Sequence, residues 1–93
     1  MEAYARQFGG TIAKMNYYSL DKELSKNESK AASGTLRAIY SLTGSNGKKK
    51  YISIDHKHGI FEYYNFRGIH QGEFRFDGTK NKNANPSHNL KTL

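Results

Sequence analysis

The sequence predicts an α+β fold: short N-terminal helices, then a twisted antiparallel β-sheet, then an irregular C-terminal tail. Three observations carry this. The apolar pattern switches to strict alternation at Thr35. Turn dipeptides then follow at short intervals: Asn46-Gly47, His58-Gly59, Arg67-Gly68 and Asp77-Gly78. The stretch 79–89 is rich in Asn and Lys, holds one Pro and almost nothing apolar, and needs a surface or ligand to order it. At 93 residues the chain reads as a single domain, 1–93, with 1–41 a helical supporting segment and 42–93 the core.

A first helix is expected over 2–8, ended by Gly9-Gly10. Ser19 is placed to cap a second, whose first turn carries Asp21 and Glu23 as the helix dipole favours. Leu20 and Leu24 supply its apolar side, and Gly34 is the stop. Leu36, Ala38, Tyr40 and Leu42 then alternate with Thr35, Arg37, Ile39 and Ser41, as in a strand. Asn46-Gly47 is the favoured two-residue hairpin pair and leads into a strand over 49–55, with Ile52 and Ile54 on its apolar side. His58-Gly59 turns the chain into a third strand over 60–65. Arg67-Gly68 leads to a fourth over 69–76, which Asp77-Gly78 ends. Short strands joined by tight turns make a meander of about four strands.

Composition narrows the function. Only 35% of residues are hydrophobic, with neither Val nor Trp, and the mean hydropathy is −0.87. No apolar run suffices to span a membrane, and the N-terminus lacks the apolar region of a secretory signal. The absence of cysteine excludes disulfides, thiolate metal sites and Cys nucleophiles. Fifteen Lys and Arg against eight Asp and Glu give +7, and nine of the fifteen lie from Lys48 onward. Such a balance favours a polyanionic partner, nucleic acid first. Seven Tyr and five Phe supply core rings and surfaces on which unpaired bases stack.

The informative segment runs Asp55-His56-Lys57-His58-Gly59-Ile60-Phe61-Glu62. If His58-Gly59 are the two loop residues of a hairpin, Asp55 pairs directly with Glu62. Their Cβ atoms then lie about 4.5–5.5 Å apart, which raises the pKa of at least one. With His58 adjacent, these are the parts of metal-independent RNA cleavage: a base for the ribose 2′-hydroxyl, an acid for the departing 5′-oxygen, and a cation for the phosphorane. Two other readings use the same residues. Asp55 and Glu62 can be solvent-facing strand positions paired to Lys57 and Lys49. His56, His58 and Glu62 around Lys57 can be a metal site, although alternation sends His56 to the face opposite Asp55. No Ser-centred triad, P-loop or dinucleotide fingerprint is present. Lys48-Lys49-Lys50 reads as a phosphate contact or as charges guarding a strand edge. Of the neighbouring tyrosines, parity puts Tyr64 on the Glu62 face and leaves Tyr63 for the core.

Over half of the chain resembles the cytotoxic ribonuclease domain of the ribosome-cleaving colicins, whose relatives occur as C-terminal toxin domains in contact-dependent inhibition systems. The likeness runs through Thr43-Gly44, Gly47-Lys48-Lys49, Asp55 to Glu62 and Gly72-Glu73-Phe74 to Asn85-Pro86-Ser87-His88-Asn89-Leu90-Lys91. The resemblance implies a toxin, delivered within a larger protein, that acts in the target-cell cytoplasm. It would cut the decoding region of small-subunit (16S) ribosomal RNA through 2′-hydroxyl attack, giving a 2′,3′-cyclic phosphate, with no metal or cofactor. It makes Asp55, His58 and Glu62 catalytic. His88 stands where the family has an arginine, and Lys91 or Arg75 can substitute for that charge. Lys48, Lys49, Lys50, Tyr64, Arg75 and Lys91 are then the RNA-binding set. An immunity protein, acidic to match the basic toxin, is the implied partner. A nuclease of similar shape acting on transfer RNA, and a non-catalytic RNA-binding module, are the alternatives.

Overall fold

A computed structural model describes residues 2–93. Helices α1 (Glu2–Met15) and α2 (Lys22–Ala31) flank a two-residue strand, β1 (Ser19–Leu20). Strands β2 (Ala38–Thr43), β3 (Lys49–Asp55), β4 (Ile60–Tyr64), β5 (His70–Arg75) and β6 (Lys80–Asn83) follow, with a 3₁₀ turn at Pro86–His88. The strands form one antiparallel sheet in the order β1-β2-β3-β4-β5-β6, so each strand lies beside its neighbours in sequence. The class is the expected one; the sheet has six strands rather than four.

Alternation explains why the sheet needs cover on both sides. Tyr40, Ile52, Ile54 and Phe61 share one face and pack with Ala13 of α1 and with Tyr18. Ile39, Tyr51 and Tyr64 share the other, closed by Leu24 of α2 and Leu90 of the tail. The helix α1 does not stop at Gly9-Gly10, because those glycines serve packing instead of termination. A Cβ on Gly9 would lie 3.1 Å from the Ile54 and Phe76 side chains, and one on Gly10 only 2.8 Å from the Tyr40 hydroxyl. Asp21, not Ser19, caps α2: its Oδ1 accepts the Leu24 N–H at 3.0 Å, while Ser19 pairs with Ser41 in the sheet. No helix is long and apolar enough to cross a membrane among the described residues.

The loop after β3 corrects the expected register. Asp55 pairs with Ile60 and Ser53 with Glu62, so His56 to Gly59 form a four-residue loop. The cause is local. Asp55 Oδ1 accepts the backbone N–H groups of Lys57 and His58, each at 3.1 Å, and its carbonyl accepts that of Gly59 at 2.8 Å. Asp55 and Glu62 therefore share a face two residues out of direct opposition, and the residue directly opposite Glu62 on β5 is Glu73.

Candidate active site

Alternation sends Ser53 and Asp55 of β3, Glu62 and Tyr64 of β4, and His70, Glu73 and Arg75 of β5 to the face shared with α2. There Asp55, Glu62, Glu73 and Arg75 line a cleft of about 850 Å³ with Arg37, Lys82, His88 and Lys91, while Ser53, Tyr64 and His70 lie buried beneath it. Asp55, His58, Glu62, His88, Arg75 and Lys91, all named from sequence, border this one cleft.

Glu62 occupies its centre. Its Oε1 lies 3.2 Å from His70 Nε2 and 3.4 Å from His88 Nδ1. The other nitrogen of His70 fixes its tautomer: Nδ1 accepts the Asn85 backbone N–H at 2.9 Å, so Nε2 carries the proton on the side of Glu62. Burial holds the His70 pKa below its ordinary value; the Glu62 charge opposes this and His88 adds to it. His70 is thus a neutral imidazole whose N–H side lies against one carboxylate oxygen. The same tautomer bears on metal binding. From both His70 and His88 the Glu62 oxygen lies near the roughly 3.3 Å ligand separation of a tetrahedral zinc site, and all three donor atoms lie within 4.8 Å of one another. A metal at Nε2 would move the His70 proton to Nδ1, against the Asn85 N–H, so these residues do not fit one. His56 is buried in the loop and takes no part in this cluster.

Asp55 and His58 form a second pair, Oδ2 to Nδ1 at 2.8 Å, which turns Nε2 of the exposed imidazole away from Asp55. The expected rise in a carboxyl pKa does not occur at Asp55. Burial works to raise it, but hydrogen bonds from the His58 ring and backbone, the His58 charge and the Lys57 N–H outweigh burial, and Asp55 titrates below its ordinary value. The cross-strand carboxylate pair is Glu62 with Glu73, and buried Glu73 accepts a hydrogen bond from Asn81 Nδ2 at 3.3 Å.

Tyr64 is a correction. It is only 2% exposed, and its hydroxyl bonds Ser53 Oγ at 2.8 Å and Arg37 at 3.0 Å, so it offers no face for stacking. Burial, helped by the Glu62 charge, pushes its pKa up to about 12. Lys48, Lys49 and Lys50 lie outside the cleft, along a separate groove. Four contributors escaped the sequence reading. His70 and Glu73 follow a register shift beside Tyr63 and Tyr64 that obscures parity, and Arg37 precedes its strand. The fourth, Glu28, sits on a polar helix with nothing to mark its burial.

Glu28 explains how the Asn- and Lys-rich tail is held. This 1%-exposed carboxylate of α2 accepts the backbone N–H groups of Lys91 and Thr92 and the Thr92 hydroxyl, at 2.7 to 3.1 Å. Asn89 Oδ1 accepts the His70 N–H at 2.8 Å, and the Gly68 carbonyl accepts the Leu90 N–H at 2.9 Å. These bonds bracket His88 and set it over Glu62. Comparison with protein-family models, curated proteins and solved structures returns no match, so the chemistry of the site carries the functional argument.

Proposed function

We propose that the protein is a toxin endoribonuclease that cleaves RNA without a metal ion, with small-subunit ribosomal RNA as its target. The observation that supports it best is one cleft holding a carboxylate, Glu62, set against two imidazoles, and a separately oriented imidazole, His58. The Glu62 carboxylate takes the proton of a ribose 2′-hydroxyl, and that oxygen attacks the adjacent phosphorus. The bond from phosphorus to the 5′-oxygen breaks as protonated His58 gives its proton to that oxygen, leaving a 2′,3′-cyclic phosphate and a 5′-hydroxyl. Glu62 ends protonated and His58 neutral, and exchange with water resets both. Arg37, Arg75, Lys82 and Lys91 supply positive charge to the phosphorane, and His88 adds to it when protonated. The ribosomal target and delivery within a larger toxin rest on the family resemblance. An acidic immunity protein also follows from it, with the +7 charge as support.

Digestion of intact ribosomes tests the proposal. One discrete fragment of small-subunit RNA, ending in a cyclic phosphate and produced in the presence of a chelator, is expected. A fragment from transfer RNA alone would move the target, and intact RNA throughout would leave a binding module.

A further inference from the structure

Strand alternation puts Tyr63 and Phe74 on the sheet face opposite Glu62, where their rings meet at 4.7 Å. There they line a groove of about 630 Å³ that runs past Phe66 to Lys48, Lys49 and Lys50. No residue of α1, which covers much of this face, lines the groove. Its chemistry differs from that of the cleft. The cleft is bordered by three carboxylates, Asp55, Glu62 and Glu73, whereas the groove has none. Its rim is an exposed phenyl ring, Phe66, with Lys48 Nζ 4.2 Å from the ring centroid and the Arg67 guanidinium at 5.3 Å.

We infer that this groove is a second RNA site, which binds a single strand by base stacking and is separate from the cleavage cleft. A surface with cations but no anions, interleaved with accessible rings, is what sequence-tolerant single-strand binding requires. The lysines meet phosphates, and Lys48 leaves the Phe66 ring for a phosphate as a base takes its place. Tyr63 and Phe74 form the floor of the stack. The inference extends the reading that the chain acts on RNA: the groove holds the strand while the cleft cuts it.

The chain contains no tryptophan, so Phe66→Trp places a single tryptophan at the rim, excited selectively beyond the absorption of the seven tyrosines. The probe is a 2′-O-methyl oligouridylate of about a dozen nucleotides, which lacks the nucleophile of the proposed reaction. Saturable quenching is expected. Adding Lys48→Gln, Lys49→Gln and Lys50→Gln should lower the salt slope of log affinity by about 2, from roughly 0.7 per phosphate contact. In the otherwise unaltered chain, Phe66→Ala should weaken binding about 5- to 100-fold. Glu62→Gln should leave quenching intact while abolishing ribosome cleavage. Binding by gel shift without quenching, and unaffected by Phe66→Ala, overturns the inference and leaves the nuclease reading standing. Equal quenching by polyglutamate overturns it too and marks the groove as the seat of an acidic protein. Quenching by RNA with ribosomes left uncut keeps the groove and removes the nuclease.

Discussion

Asp55 and Glu62 face one cleft, but their partners give them different work. Asp55 is committed to the loop, through two backbone N–H groups and the His58 ring. Glu62 has two imidazoles beside it and a second carboxylate, Glu73, directly across the strand pair, which leaves it able to receive a proton. His58→Ala should therefore slow ribosome cleavage roughly 10²- to 10⁴-fold. Its exposed side chain fills no core, so stability should stay within about 0.5 kcal/mol. Cleavage at the parental rate would remove His58 from the mechanism. Asp55→Asn should lower both properties. The amide still accepts the Lys57 and His58 backbone N–H groups but without the charge that strengthens those bonds, so about 1 kcal/mol of stability should go along with the activity. Thermal melting and ribosome digestion on the same preparation check this. A protein that melts as the parent does would show that the Asp55 contacts add nothing to the fold.

At the scale of elements, two helices shape a site they do not enter. The helix α2 acts through Glu28. Glu28→Ala should cost about 1–3 kcal/mol and release the Lys91 and Thr92 amides to exchange, while the central strands stay protected. Cleavage should fall with it, since His88 loses its bracket, and the double variant Glu28→Ala with His88→Ala should be little slower than His88→Ala alone. The helix α1 acts through contact distance. Gly10→Ala improves helix propensity by about 1 kcal/mol, yet its Cβ would strike the Tyr40 hydroxyl. Net destabilisation of up to about 2 kcal/mol is expected, and a gain in melting temperature would show that α1 shifts freely. These cases show what was legible in the sequence. The strand Lys49–Asp55 was, because its alternation and the preceding Asn46-Gly47 turn are local signals. The continuation of α1 was not, because the reason for its glycines lies on Ile54 and Tyr40, distant in the chain. Strand β6 was hidden because Lys80–Asn83 is polar throughout and pairs through its backbone. Asp55, His58, Glu62 and His88 were legible as a set, but their pairing was not, since one side-chain turn reset the hairpin register.

The whole molecule answers to acid through two of these groups. His70 and Asp55 both titrate below their ordinary values when folded, so the unfolded chain takes up protons at higher pH than the folded one. The stability tied to neutral His70 is complete above about pH 6.5 and is lost as pH falls through its folded value. That tied to ionised Asp55 is complete above about pH 4 and is lost lower still. Melting temperature should thus decline in two stages between pH 7 and 3, and a flat profile from pH 6.5 to 5 would mean that His70 is protonated in the folded state without penalty. The order of the strands has a mechanical consequence as well. Each strand borders its neighbours in sequence, and no cysteine cross-links any pair. A force drawing on Leu93 first strips the Glu28 contacts, then peels β6 from β5 and β5 from β4, loading one ladder at a time as a zipper does. Such a sheet gives way to a small steady pull where a sheared one would resist. His88 leaves Glu62 at the opening step, so the cleft comes apart before the sheet does and closes again only when the tail docks.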